Sequence, residues 1–276
     1  MALTPDGYLQ FDIPHAPPGA SMSMGWTEIE RLEPTAELDI APAVNWEKYG
    51  KVAFDYGMSL LLLIPGLPLI GLSWLLVRIS SRGPGFYSQT RLGLNGREYK
   101  ILKLRTMILD SEVSGAAWAA KNDARVTRLG KFLRLTHFDE LPQLFNVLRG
   151  EMSLVGPRPE RPEMIAKKGL NQIVPGYPQR LVIKPGVTGL AQVQLPADTD
   201  IVSVRRKIVY DFYYIENASL WFDLRIMAAT VLKSFMGPRM LQKVFLLPSR
   251  NEVTVAFRRK ASPDSPSGQL PRLLPA

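Results

Sequence analysis

A long uncharged run dominates the hydrophobic pattern of this chain. Residues 56–77 carry no charged side chain, and the run is just long enough to cross a bilayer as a straight helix, which needs roughly 20 residues. Pro65 and Pro68 lie in its middle, where each proline removes a helical hydrogen bond. Basic residues, which tend to stay cytoplasmic, flank both ends: Lys48, Lys51, Arg78 and Arg82. The pattern favours a re-entrant helix–break–helix, broken at Pro65, over a spanning helix or a buried core helix.

Shorter patterned runs follow the uncharged segment. Residues 86–90 and 98–104 are rich in β-prone side chains, and Asn95-Gly96 between them is a strong turn signal, so the sequence predicts a β-hairpin. Residues 219–237 combine apolar and basic side chains with two aromatic residues near the start. We expect an amphipathic helix on a membrane surface there, with a helix of the domain core as the alternative.

Two acidic residues stand side by side where a further helix should begin. Asp139 is a good helix N-cap, and Gly150 is a good helix stop. Adjacent carboxylates repel and raise one pKa unless a cation compensates. Two interpretations stay open for Asp139 and Glu140. They form an ordinary cap followed by a first-turn acid, or they hold a divalent cation such as Mg²⁺, with one carboxylate as a nucleophile.

Three basic residues are candidates for binding a phosphate group. Lys103 lies in the second run of the hairpin, and Arg134 lies on the polar face of a short helix predicted at 129–135. Arg158 stands between two prolines in a Gly-Pro-Arg-Pro turn, and its planar guanidinium suits bidentate phosphate binding. A solvated surface position is the alternative for each of them.

Composition and charge exclude some kinds of active site and indicate an acidic partner. The 276 residues include no cysteine and only two histidines, which excludes a thiolate metal site, a His-rich zinc site and a cysteine nucleophile. A formal net charge of +9 indicates an acidic partner, such as phosphorylated substrates, nucleic acid or an anionic membrane. Charge and the hydrophobic pattern predict four parts: a disordered acidic Pro-rich tail at 1–45, the re-entrant helix at 46–82, a folded domain at 83–249 and a disordered basic tail at 250–276.

Several motifs between Lys51 and Leu232 resemble, in their order, the bacterial sugar transferase family, the monotopic polyprenyl-phosphate phosphoglycosyl transferases. Asp55 precedes the Pro-broken hydrophobic segment. The later motifs are GPGFYSQTRLGLNGREYKILKLRTM, TRLGKFLRLTHFDELPQLFNVLRGEMSLVGPRPE, IKPGVTGLAQV and YDFYYIENASLWFDLRIM. The stretch around FDELPQL and GEMSLVGPRP is long and very specific.

The resemblance implies an enzymatic activity and a cellular location. Members transfer a sugar 1-phosphate from a nucleotide sugar, usually UDP-linked, to undecaprenyl phosphate and release UMP, which starts the assembly of exopolysaccharide, capsule, O-antigen or other glycans. The family's Asp-Glu dyad corresponds to Asp139, the nucleophile that carries a phosphosugar intermediate, and Glu140, which assists with Mg²⁺. The expected location is the cytoplasmic face of the bacterial inner membrane, and downstream glycosyltransferases are candidate partners.

The resemblance also implies a fold: α+β and mostly helical, with a single re-entrant membrane helix, a small cytosolic domain with a short β-hairpin, and interfacial amphipathic helices. A polar tail precedes the hydrophobic segment, so the chain resembles the minimal form of the family. Ile64 and His137 stand where the family commonly has serine. The local hydrogen bonding around the helix break and before Asp139 must therefore differ.

Two other functional classes fit the sequence less well. A membrane-tethered nucleic-acid binder would explain the basic charge but not the acidic pair, and we find no nucleic-acid-binding motif. A glycoside hydrolase needs two carboxylates that face each other about 5 Å or more apart across a bond. Adjacent residues on one turn suit that arrangement poorly. The prediction follows the resemblance: a sugar-phosphate transferase with a nucleotide sugar, a polyprenyl phosphate and a membrane as partners, and no nucleic acid.

Overall fold

The structure is a computed structural model, and it describes residues 2–3, 9–10, 40, 42, 46, 50–109, 123–174 and 176–261. Near the N-terminus, β1 (Ala2–Leu3) and β2 (Leu9–Gln10) pair in an antiparallel manner. Most of the acidic tail predicted at 1–45, and the part of the basic tail after residue 261, lie outside the described residues.

Helix α1 (Lys51–Ser80) contains the whole uncharged run, including Pro65 and Pro68. The prediction of two arms separated at Pro65 differs from the structure, because the helix continues through both prolines. A proline in a helix interior removes one hydrogen bond and favours a kink, and the turns on either side need not end there. By length and composition alone α1 could cross a membrane. The re-entrant path stays a prediction.

One side of α1 packs on the rest of the chain, and the other side is apolar and exposed. The buried positions recur every three or four residues, as one face of a helix requires: Asp55, Ser59, Leu63, Gly66, Ile70, Ser73 and Val77. On the opposite side, Ile64 is 71% exposed. One side of the helix therefore faces the rest of the protein. The other side is an exposed apolar surface, of the kind that contacts a membrane or another protein.

The predicted hairpin is confirmed. Strands β3 (Phe86–Leu92) and β4 (Glu98–Leu104) are antiparallel, with Phe86 opposite Leu104. They are joined by a 3₁₀ turn at Leu94–Gly96. Asn95 has a positive φ of 54°, which asparagine tolerates better than most residues. The observed β3 is two residues longer than the run in the sequence suggests.

The remaining elements are mostly short helices around one small parallel strand pair, in agreement with a mostly helical fold. Strands β5 (Ser153–Val155) and β6 (Gly186–Thr188) pair in parallel. The helices are α2 (Arg128–Thr136), α3 (Gln143–Leu148), α4 (Pro162–Lys168), α5 (Leu170–Ile173), α6 (Leu190–Gln194), α7 (Ile201–Asn217), α8 (Leu220–Leu232), α9 (Pro238–Val244) and α10 (Arg250–Ala261), with 3₁₀ turns at Phe138–Glu140 and Tyr177–Val182.

Helix α10 corrects the predicted domain boundary at residue 249. The sequence analysis assigns 250–276 to a disordered tail, but the first part of it is helical. Val253 and Phe257 are four residues apart and both are buried, so they lie on one face of the helix. The Phe257 ring stacks on Phe212 of α7, with 6.2 Å between the ring centroids. Burial of this short apolar stripe offsets the basic, polar composition of the segment.

Helix α8 has one buried face and one exposed apolar face, and its position on a membrane surface stays a prediction. Asp223, Ile226 and Ala229 are fully buried, so one face belongs to the domain core. Trp221 and Val231 are 68% and 73% exposed, so the other face presents apolar side chains outward. Helix α8 therefore packs on the protein core with one face and leaves the other, apolar face exposed.

The start of α1 is fastened to α8 through one buried carboxylate. Lys51 Nζ lies 2.6 Å from Asp223 Oδ2, and Trp46 Nε1 donates to the same oxygen at 3.0 Å. Tyr214 donates its hydroxyl hydrogen to Asp223 Oδ1 at 2.7 Å. At the far end, Arg105 donates to the backbone carbonyl of Ser81 at 2.8 Å. Both ends of the apolar helix are thus held by the domain that carries the acidic pair.

Candidate active site

The acidic pair lies in a tight turn between two helices. Helix α2 ends at His137, which adopts the left-handed conformation with φ 58°, and a 3₁₀ turn follows at Phe138–Glu140. The prediction that Asp139 caps the next helix is wrong, since α3 begins at Gln143 and Pro142 precedes it as the capping residue. A cap at Asp139 would have only the N–H of Leu141 to accept from, because the third helical residue would be Pro142, which has no N–H.

Glu140 is held by two cationic side chains. Lys103 Nζ lies 2.6 Å from Glu140 Oε1, and Arg158 Nη2 lies 3.4 Å from the same oxygen. Burial by itself would raise the pKa of Glu140, but Lys103 and Arg158 outweigh it and hold the pKa well below its usual range. Glu140 is therefore a carboxylate at neutral pH.

Asp139 has the opposite electrostatic character. Its side chain is buried, and burial, with the neighbouring Glu140 as a second cause, raises the pKa of Asp139 to about 6. Among the described residues no ion pair reaches this carboxylate. Neighbouring acids whose pKa values are pushed apart in this way are typical of sites where the two groups have different chemical tasks.

The structure brings all three predicted phosphate-binding residues toward the acidic pair. Lys103 and Arg158 contact Glu140 directly. Arg134 donates from Nε to Thr106 Oγ1 at 2.9 Å, which fixes it beside the end of β4, and its charge lowers the pKa of Asp139. Three cations on three different elements therefore act on one acidic turn, although their role in binding a substrate stays a prediction.

Two further ionisable residues at this place were not among the sequence candidates. Lys233 follows α8 and donates from Nζ to the backbone carbonyl of Gln192 at 2.5 Å. Burial lowers the pKa of Lys233, with the Arg158 charge as the next cause. Burial likewise lowers the pKa of His137. The signal for Lys233 was only a basic residue after an apolar helix, and nothing in the sequence relates it to residues about ninety positions earlier.

Glycines let the turn that carries Arg158 approach β6. A Cβ atom on Gly156 would lie 2.6 Å from the backbone oxygen of Lys184, and one on Gly186 would lie 2.1 Å from the backbone nitrogen of Gly156. Real Cβ atoms do not approach backbone atoms so closely. The Gly-Pro-Arg-Pro turn therefore packs on the loop in the IKPGVTGLAQV motif, and this close packing positions the turn behind Glu140.

The donor set at the acidic turn fits a magnesium ion that also contacts a substrate. In the described part of the chain, no cluster of three or more His, Cys, Asp or Glu residues could hold a metal. Mg²⁺ is often bound by one or two carboxylates together with substrate phosphates. Asp139 and Glu140 supply two carboxylates, and a cation there would compensate the Asp139 carboxylate, which has no ion pair among the described residues.

Comparisons with known proteins identify the family of the chain. A family model described as "Bacterial sugar transferase" matches residues 46–237. The undecaprenyl-phosphate glucose phosphotransferase of Komagataeibacter xylinus is 40% identical over 77% of this chain and 41% of its own length. The UDP-N-acetylgalactosamine-undecaprenyl-phosphate N-acetylgalactosaminephosphotransferase of Aeromonas hydrophila is 41% identical over 66% of this chain and 43% of its own length.

A shorter relative matches over most of its length. The exopolysaccharide production protein PSS of Rhizobium leguminosarum bv. phaseoli is 45% identical over 66% of this chain and 93% of its own length. The chain thus spans less than half of the two longer relatives and nearly all of this one. Since the family model covers well over half of its residues, the chain belongs to the bacterial sugar transferase family.

Proposed function

We propose that this protein transfers a sugar 1-phosphate from a UDP-sugar to undecaprenyl phosphate through a covalent intermediate on Asp139, with release of UMP. The observation that carries the proposal is the acidic turn: Glu140 is neutralised by Lys103 and Arg158, while Asp139 is buried without an ion pair among the described residues. The relatives named as undecaprenyl-phosphate phosphotransferases support the substrate classes.

In the first step, a carboxylate oxygen of Asp139 attacks the β-phosphorus of the UDP-sugar. A new P–O bond forms to Asp139, and the bond from that phosphorus to the bridging oxygen breaks, so that UMP leaves with the electron pair. A carboxylate with a raised pKa is more basic than an ordinary aspartate, which favours nucleophilic attack once it is ionised.

In the second step, an oxygen of the polyprenyl phosphate attacks the phosphorus of the acyl phosphate. The bond to Asp139 breaks and returns the carboxylate, and a polyprenyl diphosphate sugar is released, which is the kind of lipid-linked substrate that downstream glycosyltransferases extend. Lys103, Arg134 and Arg158 neutralise negative charge on the phosphates in both steps, the main contribution that a protein makes to phosphoryl transfer.

Asp139 and Glu140 are the residues that would hold Mg²⁺. When bound, the ion would neutralise negative charge on the diphosphate of the UDP-sugar. Lys103 remains the residue that keeps Glu140 ionised and oriented, through the 2.6 Å contact with Oε1.

We also propose that the protein lies at the cytoplasmic face of the bacterial inner membrane, with α1 as a re-entrant anchor. Exposed apolar side chains on α1 and around α8 support membrane association, with Phe235 86% exposed. A cysteine placed at position 41, and separately at position 88, tests the topology, because the chain has no cysteine of its own. Both sites should be shielded from an impermeant periplasmic reagent in intact cells. Labelling at position 41 alone would show that α1 spans.

Replacing Pro65 and Pro68 together by leucine sharpens this test. The change restores two helical hydrogen bonds and should straighten α1 enough to span. Position 41 should then become accessible from the periplasm. Continued protection of position 41 in that variant would show that the prolines do not determine the topology.

The activity is tested by UMP release from purified protein with a panel of UDP-sugars, with and without polyprenyl phosphate. We expect one equivalent of UMP per enzyme without acceptor, and continuous release only when the acceptor and the correct sugar are present. The same panel identifies the sugar. Absence of UMP release from every UDP-sugar, with acceptor and Mg²⁺ supplied, would contradict the proposal.

A further inference from the structure

The turn that carries Arg158 is held along its whole backbone. Four consecutive carbonyls each accept a hydrogen bond from a different residue: Pro157 from Gly186 N at 2.9 Å, Arg158 from Arg180 Nη2 at 2.9 Å, Pro159 from Arg91 Nη1 at 3.3 Å, and Glu160 from Leu92 N at 3.1 Å. The side chain of Arg158 is 41% exposed and extends from this fixed base to Glu140. The backbone is therefore immobilised directly beneath a side chain that is itself accessible.

Arg180 stands out among these four donors because it is a buried charge. Its side chain is 2% exposed, and Nη2 lies 2.7 Å from Oδ2 of Asp211, which is itself 3% exposed. The guanidinium also lies over the Tyr177 ring, 5.4 Å from its centroid. One nitrogen thus joins the carbonyl of Arg158 to a carboxylate on α7.

Arg180 uses both terminal nitrogens of its planar guanidinium. Nη2 donates to the Arg158 carbonyl at 2.9 Å and to Asp211 Oδ2 at 2.7 Å, and Nη1 donates to Tyr177 Oη at 3.3 Å. A lysine has the same charge but a single ammonium, so it would not reach the acceptors of both nitrogens. Arg180 is therefore better suited to orienting the turn than to neutralising Asp211 alone.

We propose that Arg180, anchored by Asp211, is a positioning residue that holds Arg158 toward the diphosphate of the donor. Arg180 does not touch the substrate in this account, and it acts through the backbone of Arg158. A long arginine side chain loses rotational freedom when it binds a phosphate, and a fixed base reduces the part of that loss that comes from the backbone. The identity of the bound anion rests on the function proposed above.

A double-mutant cycle tests this role. Arg180→Lys is combined with Arg158→Met, and kcat/KM for the UDP-sugar is measured for the four proteins. If Arg180 acts through Arg158, we expect Arg180→Lys to lower kcat/KM about 10-fold alone and less than about 2-fold when Arg158→Met is already present. Losses that multiply in the double variant would overturn the proposal.

A matched control separates positioning from general loss of structure. Arg105 also donates its guanidinium hydrogens to backbone carbonyls, those of Ser81 and Arg82, but at the end of α1 rather than beneath Arg158. Any effect of Arg105→Lys should be the same with and without Arg158→Met. Coupling of Arg105→Lys to Arg158→Met as strong as that of Arg180→Lys would mean that the cycle reports a general property of the fold.

A second variant keeps the test valid if Arg180→Lys fails to fold. Arg180→Gln with Asp211→Asn removes both charges together and leaves no unpaired buried charge. This double change should melt cooperatively and show the same lack of further effect in the Arg158→Met background. If it retains full kcat/KM, Arg180 does not position Arg158.

Binding of UDP, measured by calorimetry, separates this inference from the proposed function. Arg180→Lys should weaken UDP binding several-fold, and only when Arg158 is present. A wild-type protein that neither binds UDP nor releases UMP would contradict the proposed function. An active wild-type protein with equal loss of UDP affinity from Arg180→Lys in both backgrounds would contradict the positioning role alone.

Discussion

Two charged clusters lie next to each other in this fold, and they differ in how their acidic residues are paired with cations. In the first, the acidic turn, the ion pairs from Lys103 and Arg158 converge on one oxygen of Glu140, and none of the described residues forms an ion pair with Asp139. In the second, which we call the buried clamp, each acid has a cation within ion-pair distance: Glu160 and Asp198 with Lys207, and Asp211 with Arg180.

The pKa values show what this difference does. Lys207 and Arg180 overcome the effect of burial and lower the pKa of Glu160 to about 2. At Asp139 burial prevails, and the pKa rises to about 6. Burial also raises the pKa of Asp211 in the clamp, but Asp211 keeps an ion pair with Arg180 at 2.7 Å. A buried acid without an ion pair among the described residues, as at Asp139, costs stability and is typical of a functional site. The two clusters meet at the turn of Arg158, where the clamp holds the backbone of the residue that contacts Glu140.

Replacing Asp139 by asparagine should have the largest effect on activity. The variant keeps the shape and removes the nucleophile, so we expect turnover to fall by at least about 10³-fold. Its melting temperature should not fall, because a buried charge that faces Glu140 is removed. Turnover is measured by UMP release and folding by thermal melting. Near-normal turnover would exclude Asp139 as the nucleophile.

Replacing Asp211 by asparagine should act mainly on stability. It leaves the buried charge of Arg180 with only the longer contact to Glu160, 3.8 Å away, and breaking a buried ion pair typically costs about 3–5 kcal/mol of unfolding free energy. Urea denaturation measures the change. The pair of Arg161 and Glu163, 3.7 Å apart, provides the control because Glu163 is 59% exposed, and Glu163→Gln should change stability by less than about 1 kcal/mol. Equal effects of the two changes would mean that the clamp is not a stabilising element.

Replacing Glu140 by glutamine should have a smaller effect on activity than loss of Asp139. The amide is a poor metal ligand and no longer neutralises Lys103 and Arg158, so we expect kcat/KM to fall about 10²-fold. The Mg²⁺ concentration for half-maximal activity should rise. Glu163→Gln again serves as the control and should change neither quantity. An unchanged Mg²⁺ dependence in Glu140→Gln would remove Glu140 from the metal site.

The features that could be predicted from the sequence are local ones. The Asn95-Gly96 turn and its flanking β-prone runs specify a hairpin within twenty residues, and the acidic pair lies in a short, specific motif. The path of α1 through Pro65 could not be predicted, because its packing against the rest of the domain competes with the helix-breaking tendency of proline. Helix α10 could not be predicted either, since its stripe of Val253 and Phe257 is too short to stand out before α7 covers it.

The buried clamp could not be predicted from the sequence for a different reason. Arg180 and Asp211 are thirty-one positions apart and belong to different elements, and each alone resembles an ordinary surface charge. Only the folded chain shows that both are buried and that Arg180 also reaches the carbonyl of Arg158. Basic residues that contact the acidic pair directly, such as Lys103 and Arg158, can be predicted from their residue types. A residue such as Arg180, which contacts only the backbone of Arg158, leaves no local pattern in the sequence.

The most direct test of the account is the mass of the protein after incubation with UDP-sugar and Mg²⁺ in the absence of polyprenyl phosphate. The account predicts an increase by one sugar phosphate, located on the peptide that contains Asp139 and lost when polyprenyl phosphate is added. Asp139→Asn should show no increase. Turnover with a UDP-sugar and polyprenyl phosphate, but without any modified peptide at Asp139 under rapid quenching, would contradict the covalent mechanism.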